Sequence, residues 1–358
     1  MGLSRYRGRY RRRFGRLLAA TLATIAALGV VFIALRPEQS SPGNAVIRSA
    51  RTSLLLDGVY GARFAGELIA SKRGFFASNI ALAPRPDDPH FVESIARQHS
   101  IGVTTAHKFL LAAWRGVPVT AFAASYLDTS VAIFTLEGSG LRRPADLIGK
   151  RLGYRRGSEA EVIFDAMMAQ LGLPRSQITK VADRDNFEAL RTHEVDAILG
   201  AIDSQPDPSL DSILMNVIRP PEYGIHVPGL VYFASNDLIH SQPSIIADVL
   251  QGIIRGWQFA YSDHARSLPI LLTADPGNLS SEQLSFALRQ QRNLIVPTGG
   301  RIADFDESRW IALRNILIFA KLGDEGVPLA QVVNYQFLRD VYRRSPDLAS
   351  PGAWREGN

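Results

Sequence analysis

The sequence predicts an α/β fold of two lobes that close on each other as a clamp, preceded by an N-terminal transmembrane or signal helix. Short apolar strand candidates alternate with amphipathic helix candidates over most of the chain, and this order predicts sheets covered by helices. The alternation restarts at Arg142. A length of 358 residues, 46% of them hydrophobic, suits two lobes that each have a core.

The first predicted lobe is an alternating series that begins with a strand. Its strand candidates are short apolar runs, and its helix candidates carry apolar residues on one face. Repeated βα units imply a mostly parallel sheet. The predicted elements are the strands Thr52–Leu56, Asn79–Ala83, Ser100–Val103, Val117–Ala123 and Ser130–Thr135, and the helices Ala62–Arg73, Asp88–Gln98 and Thr105–Trp114.

The second predicted lobe repeats the pattern, and a strand over Ile225–Ala234 then returns to the first lobe. We therefore expect a discontinuous first lobe, residues 52–132 and 236–345, a second lobe, residues 133–235, and a C-terminal tail, residues 346–358. The remaining predicted elements are the strands Arg151–Tyr154, Ile178–Ala182 and Ala197–Gly200, and the helices Ser158–Leu171, Asn186–Thr192, Pro243–Ser262, Ala265–Leu272, Ser281–Asn293 and Glu307–Lys321.

The positive charge of the chain is concentrated at its N-terminus. The net charge is +6, but eight arginines precede the first acidic residue, Glu38, and removing them leaves −2 for the rest. Nucleic-acid binding needs a basic surface on the folded part, so the near-neutral body argues against a nucleic-acid partner. The chain has no cysteine, which excludes disulfides, thiolate metal sites and cysteine nucleophiles.

Residues 1–36 have the pattern of a signal anchor or a signal peptide. The uncharged run Leu17–Leu35 spans roughly 28 Å as a helix, which is close to the hydrocarbon thickness of a bilayer and longer than a usual signal-peptide core. The arginines before it favour a cytoplasmic N-terminus. The body is therefore expected to be periplasmic or extracytoplasmic and anchored to the inner membrane. Residues 37–51, which include Pro37 and Gly43, are expected to form a flexible linker.

Six segments of the body, in order, carry a family resemblance. They are Phe64–Phe76, with its Lys-x-Gly-x-Phe-like turn, Ile101–Ala106, Arg115–Val119, Leu141–Gly153, Tyr223–Gly229 and Gly252–Ala260. Together they resemble the SsuA/THI5-like (NMT1-like) family of ABC transporter substrate-binding proteins, which includes thiamine-pyrimidine, alkanesulfonate and nitrate binding proteins. The resemblance covers about residues 52–340.

The resemblance implies a periplasmic-binding-protein type II clamp that acts as the extracytoplasmic solute-binding protein of an ABC importer. Such a protein captures a small organic ligand, of the thiamine-pyrimidine, sulfonate, nitrate or aromatic-acid class, and delivers it to an ABC permease in the membrane. It is expected to be a monomer with no cofactor and no enzymatic activity. Two alternatives stay open, namely a membrane-anchored ligand-sensing module for a signalling partner and an enzyme of thiamine-pyrimidine synthesis.

Two departures from the family pattern concern the ligand. The pyrimidine-binding branch typically carries Asp-Trp-x-Pro-Asn and a nearby His after the first strand, whereas Asp57–Phe64 contains none of Trp, Pro, Asn and His. The fungal pyrimidine-forming enzymes carry a cysteine-rich motif, which this chain lacks. A thiamine-precursor ligand therefore has no residue-by-residue support.

Candidate ligand contacts lie at strand-to-helix junctions, because open α/β sheets bind ligands beyond the carboxyl ends of their strands. Tyr60, Gly61 and Arg63 follow the first strand. Gly61 allows close backbone approach, and Arg63 offers a bidentate contact to a carboxylate, sulfonate or phosphate. The alternative for Arg63 is an ordinary surface arginine.

Two candidate helix starts, Thr104–Thr105 and Gly157-Ser158-Glu159, offer hydroxyl groups and unpaired backbone N–H groups to a ligand. An ordinary N-cap is the alternative for each. We expect the two helix starts to face each other across the cleft. Together with Arg63 they favour a ligand that carries an anionic or strongly accepting group.

Further candidates follow later strands. Asp203 and Gln205 come after the predicted strand Ala197–Gly200, where the resemblance implies an acidic or amide group that faces the cleft, with a simple turn as the alternative. Four aromatic side chains are candidates to stack on a flat part of the ligand, with core packing as the alternative: Tyr60, Phe64, Tyr126 and Tyr223. The seven histidines form no His-Glu-x-x-His pair, and no nucleophile elbow or phosphate loop occurs. The sequence thus predicts no metal site and no catalytic residue.

We expect the leader to remain attached to the mature protein, because the run Leu17–Leu35 is long and no Ala-x-Ala cleavage site follows it. Intact-mass spectrometry of protein extracted from membranes should show the N-terminal arginine-rich segment. A soluble periplasmic form that begins near residues 36–45 would contradict this expectation.

Overall fold

The computed structural model describes residues 51–85, 88–203, 215–274, 280–297, 300–323 and 327–349. The predicted leader, the linker up to residue 50, Gln205 and the tail from residue 350 lie outside these described residues. Within the described ranges, no helix has both the length and the apolar character that a membrane span requires.

Five strands form the first sheet: β1 (Thr52–Leu56), β2 (Ile80–Pro84), β3 (Ile101–Thr105), β4 (Val119–Ala124) and β10 (Leu230–Ser235). Their order is β2-β1-β3-β10-β4. β1 pairs in parallel with β2 and β3, whereas β10 runs antiparallel to β3 and β4. The predicted return strand therefore does join the first sheet, but it begins only after Pro228, whose missing N–H group suits a position outside the ladder.

The second sheet contains β5 (Val131–Leu136), β6 (Arg151–Tyr154), β7 (Thr179–Ala182), β8 (Ala197–Ala201) and β9 (Met215–Ile218). Their order is β7-β6-β8-β5-β9, with β6 parallel to both neighbours and β5 antiparallel to both of its own. In each sheet four of the five described strands run in the same direction, in line with the expectation of mostly parallel sheets, and the strand that follows a chain crossing, β10 or β5, runs against them. Sequence patterning missed β9.

The chain passes between the sheets twice, from β4 to β5 and from β9 to β10. β5 begins at Val131 and lies in the second sheet, and β10 extends to Ser235 and lies in the first. The lobe boundaries that we expected at residues 132/133 and 235/236 stay a prediction.

Helices follow most strands, and side-chain oxygens of Thr105, Ser158 and Ser280 cap three of their N-termini. A short 3₁₀ helix, Ala62–Phe64, leads into the first α-helix. The α-helices of the described residues are α1 (Ala65–Lys72), α2 (Phe91–Arg97), α3 (Ala106–Trp114), α4 (Glu159–Gln170), α5 (Phe187–Arg191), α6 (Asn236–Ser241), α7 (Pro243–Ser262), α8 (His264–Ala274), α9 (Ser281–Ile295), α10 (Glu307–Phe319), α11 (Leu329–Val332) and α12 (Gln336–Arg344).

The apolar side chains form two buried clusters, and each of them draws on both sheets. One combines side chains of β1 and β10 with side chains of β5 and β8. The other contains Phe233 of β10, Leu199 of β8 and Trp310 of α10. α10 packs against α3 and also against α4, which belong to different sheets. Trp310 meets Phe109 edge-on, with ring centroids 5.9 Å apart. Apolar packing by α10 therefore ties the two halves of the fold together.

α1 and α7 approach each other closely at two glycines. A Cβ atom on Gly256 would lie 2.0 Å from the carbonyl oxygen of Gly66, and a Cβ atom on Gly66 would lie 2.4 Å from the Trp257 ring. Only residues without a side chain fit at this crossing. Because α1 continues directly from the segment that holds Arg63, this packing also fixes the position of that arginine.

Replacing Gly256 with Ala is expected to lower the free energy of unfolding by about 1–3 kcal/mol, because the added methyl group overpacks the crossing of α1 and α7. Urea denaturation of the two proteins measures the difference. Gly138→Ala is the matched control, since a Cβ atom there meets no atom within 4 Å. Equal stability of the Gly256→Ala and Gly138→Ala variants would show that the helices separate without cost.

Candidate ligand-binding cleft

A cleft of about 310 Å³ opens between the two sheets. Arg63, Thr105 and Leu230 line it from the first sheet, and Glu159 and Gly200 line it from the second. Strand ends and helix starts of both sheets meet here, as in other open α/β folds. The remaining lining residues are Ser130, Val131, Arg155, Ser158, Ala160, Asp185, Leu199, Ala201 and Gly229.

Two larger surface depressions lie elsewhere. One, of about 700 Å³, is formed between Leu136 and Asp196 by residues that belong to the second sheet and its helices. The other, of about 480 Å³, lies between the C-terminal end of α7, the start of α8 and α9. Neither is lined from both sheets. The smaller cleft is therefore the one that a movement of the two halves would open and close.

The two helix starts predicted from the sequence do line the cleft from opposite sides. The Thr105 hydroxyl accepts a hydrogen bond from the backbone N–H of Lys108 at 3.3 Å and so caps α3. The Ser158 hydroxyl accepts one from the backbone N–H of Glu161 at 3.3 Å and so caps α4. Capping and exposure to the cleft thus occur together at both positions.

An ion pair joins the two sides of the cleft. Arg63 Nε lies 3.0 Å from Asp203 Oδ2, and Asp203 comes directly after the end of β8 in the second sheet. The Asp203 side chain is 1% exposed, whereas that of Arg63 is 35% exposed. The carboxylate raises the pKa of the Arg63 guanidinium, although burial opposes the charge. Arg63 and Asp203, both singled out from the sequence, are therefore direct partners.

Two buried residues, Tyr126 and Gln291, support this ion pair, and Tyr126 does so through its hydroxyl group and not by stacking on a ligand. The Tyr126 hydroxyl lies 2.9 Å from Asp203 Oδ2 and 2.8 Å from Gln291 Oε1. The Gln291 amide in turn donates a hydrogen bond to the Ala62 carbonyl oxygen at 2.7 Å. The segment before α1 is thereby connected to α9, whose position no local sequence signal indicates.

The other cations near the cleft are also paired. Arg155 Nε lies 3.3 Å from Asp185 Oδ2. Lys108 Nζ lies 2.9 Å from Asp57 Oδ2, and the Thr104 hydroxyl donates a hydrogen bond to the same oxygen. Thr104 is fully buried and does not line the cleft, so its role is to hold Asp57.

Glu159, the first residue of α4, lines the cleft; the sequence analysis placed it in a candidate binding loop but assigned no contact to its carboxyl group. Its carboxyl group makes no hydrogen bond or ion pair with any described residue, and its Oε1 atom is shielded from solvent. Burial raises the pKa of Glu159 to about 8, while the positive charge of Arg63 opposes the shift. The only available signal was its place directly after the N-cap Ser158.

Besides Thr104 and Asp203, several other predicted contacts do not line the cleft, and of these Phe64 and Tyr126 are buried in the core. The Tyr60 hydroxyl donates to the Leu82 carbonyl oxygen at 3.4 Å, and Gly61 contributes backbone next to Arg63. The Gly157 N–H donates to the Glu161 carboxylate at 2.8 Å. Tyr223 packs against the cluster that contains Trp310. The described residues that line the cleft include no aromatic side chain, so among them no platform for a stacked flat ligand is present.

A second carboxyl group with a high pKa, that of Glu67 in α1, lies in the core instead of the cleft. Its Oε1 atom accepts a hydrogen bond from the Tyr232 hydroxyl at 2.6 Å. Burial raises the pKa of Glu67 to about 7, and the bond from Tyr232 acts against the shift. Because Glu67 is fully buried and does not line the cleft, it serves the packing of α1.

The architecture is that of two-lobed solute-binding proteins. The periplasmic aliphatic sulphonate binding protein SsuA from Escherichia coli has a TM-score of 0.64, with 16% identity, over 78% of this chain and 91% of that chain. At this identity the likeness shows the fold alone. The predicted periplasmic-binding-protein fold is confirmed.

The model of the family described as NMT1/THI5 like matches residues 62–266, more than half of the chain. The chain therefore belongs to the NMT1/THI5-like family, which confirms the resemblance. A putative thiamine biosynthesis protein from Haemophilus influenzae is 24% identical over 156 residues, which are 42% of this chain but only 50% of that relative. A 4-amino-5-hydroxymethyl-2-methylpyrimidine phosphate synthase from Legionella pneumophila is 23% identical over 302 residues, 82% of this chain and 93% of that relative.

Replacing Arg63 with Met is expected to lower the free energy of unfolding by about 1–3 kcal/mol, because it leaves the buried Asp203 carboxylate without its cation. Asp203→Asn should cost less, since Arg63 is partly exposed and water can solvate it. In the double variant the two losses should not add. Urea denaturation at pH 7 measures all three, and full additivity would mean that the ion pair contributes nothing.

Proposed function

We propose that the chain is an extracytoplasmic solute-binding protein of an ABC importer and that it holds a small organic ligand in the cleft between the sheets. The proposal rests on one observation: a single cleft is lined by both sheets and is crossed by the Arg63–Asp203 ion pair. A ligand seated there would contact both halves of the fold at once. Such a ligand favours the closed form by its differential affinity alone.

Binding without a chemical step fits the cleft better than catalysis does. Thr105, Ser130 and Ser158 offer hydroxyl groups, but within the part of the chain that the structure describes no histidine or lysine lines the cleft to activate them. Cysteine is absent from the whole chain. The lining suits hydrogen bonding to a polar solute.

The arginine-rich leader supports the rest of the proposal. It would keep the N-terminus in the cytoplasm and place the body outside it, anchored to the inner membrane. A body at that position meets its ligand before the permease does. The closed form of a single chain would then dock on the permease.

One alternative function has a specific observation in its favour. The Legionella pneumophila relative, which this chain matches over most of its length, is named as a pyrimidine phosphate synthase. An enzyme of thiamine-pyrimidine synthesis would release a new product, whereas a binding protein returns its ligand unchanged. Mass spectrometry of each candidate ligand after incubation with the protein separates the two.

A thermal-shift screen of the purified protein against pyrimidines, sulfonates, nitrate and aromatic acids tests the binding function. A ligand at about 100 times its Kd should add about 2.7 kcal/mol to the stability of the folded state. Ala160 lines the cleft, so Ala160→Phe should fill it and abolish the shift. Ala169→Phe, on an exposed position of the same helix, should retain the shift. A shift that both variants keep would place the ligand elsewhere.

A further inference from the structure

The charged side chains that line the cleft are paired with opposite charges, except one. Arg63 is engaged by Asp203 at 3.0 Å, and Arg155 by Asp185 at 3.3 Å. Among the described lining residues, Glu159 is the charged group without an ion pair or hydrogen bond. The cleft therefore contains one carboxyl group that has no cation as its partner.

An unpartnered carboxyl group in a shielded position is unfavourable, because it has lost water and gained no compensating bond. Proteins tolerate such groups where a ligand supplies the missing partner. The partner of a carboxylate is a group with N–H donors, and a positive charge makes the hydrogen bond stronger. A ligand that satisfies the carboxyl group of Glu159 must therefore carry N–H donors.

We propose that Glu159 is the specificity-determining residue of the cleft and that it selects a small solute with a positively charged N–H donor group, such as an amidinium or alkylammonium group. The inference rests on the proposed binding function. It differs from the anionic ligand that Arg63 alone suggested, because Arg63 already meets a carboxylate in this structure.

An anionic ligand would meet the opposite conditions. Its negative charge would oppose the ionisation of Glu159 and leave that carboxyl group without a cation, and the two cations on the lining are already paired with Asp203 and Asp185. A cationic group instead pairs with Glu159 and leaves both existing ion pairs intact. The outer N–H groups of Arg63 remain able to contact an uncharged acceptor on the same ligand.

The affinity of the cleft for a cation should depend on pH through Glu159. Glu159 faces Arg63, Asp203 and Lys108 from other elements, and Arg155, Asp185 and Glu161 lie near the same helix start. With a pKa of about 8, Glu159 is mostly protonated at pH 7 in the empty cleft. A bound cation favours the ionised form, so binding releases a proton. Affinity for a cation should therefore rise about tenfold between pH 7 and pH 9.

Three isosteric probes separate charge from shape: acetamidinium is positive, acetamide neutral and acetate negative. Calorimetric titration of the full chain with each probe measures its Kd. Acetamidinium should bind at least about tenfold more tightly than acetate at pH 9. Titrations at pH 7 in two buffers of different ionisation enthalpy should show proton release with acetamidinium and none with acetamide.

Glu159→Gln should weaken acetamidinium binding at pH 9 by about tenfold or more and remove both the pH dependence and the proton release. Glu188→Gln is the control, because it removes the same charge from an exposed pair with Arg191. It should behave like the wild-type chain. If Glu159→Gln fails to fold, the pH series on the wild-type chain still decides the matter.

Tighter binding of acetate than acetamidinium, or binding of acetamidinium that is independent of pH, would overturn the assignment of Glu159. So would a failure of all three probes to bind. These results do not affect the proposed binding function, which depends on the screened solutes and the Ala160→Phe variant. Loss of every cleft ligand from that screen would overturn both.

Discussion

The Arg63–Asp203 ion pair is the interaction on which the cleft depends. Asp203 belongs to the loop that follows β8, and its side chain is almost fully buried. A buried carboxylate is stable only with a cation or several donors beside it. Arg63 from the other half of the fold supplies the cation, and the Tyr126 hydroxyl supplies a donor. The same contact therefore satisfies a buried charge and sets the distance between the two sheets.

The packing of helices behind the cleft holds Arg63 and Asp203 in place. The close crossing of α1 and α7 at Gly66 and Gly256 fixes the segment that carries Arg63. α10 packs on helices of both sheets, so apolar contacts support the same arrangement from the other end. A hinge movement that opens the cleft would have to break the Arg63–Asp203 ion pair and the hydrogen bond between Tyr126 and Asp203.

The names of the relatives and the residues of the cleft give different information about the ligand. The names of two curated relatives refer to thiamine biosynthesis and to a pyrimidine phosphate synthase, and the SsuA likeness shows the fold. Among the described residues, the lining of the cleft has paired cations, three hydroxyl groups, an unpaired Glu159 and no aromatic side chain. Fold does not fix function, and function depends on the residues of the site. The pattern of charges in the cleft is therefore the more direct guide to the ligand.

The sequence by itself determined the local elements and the family. β1, β6 and α7 have the bounds predicted for them, because apolar periodicity and helix breakers act over a few residues. It also placed Arg63, Thr105, Ser158 and Asp203 at the right junctions. Only the tertiary structure decided that Arg63 and Asp203 are partners, that the sheets are mixed, and that Glu159 lacks a partner. These features depend on groups up to 140 residues apart, and short-range patterns contain no information about them.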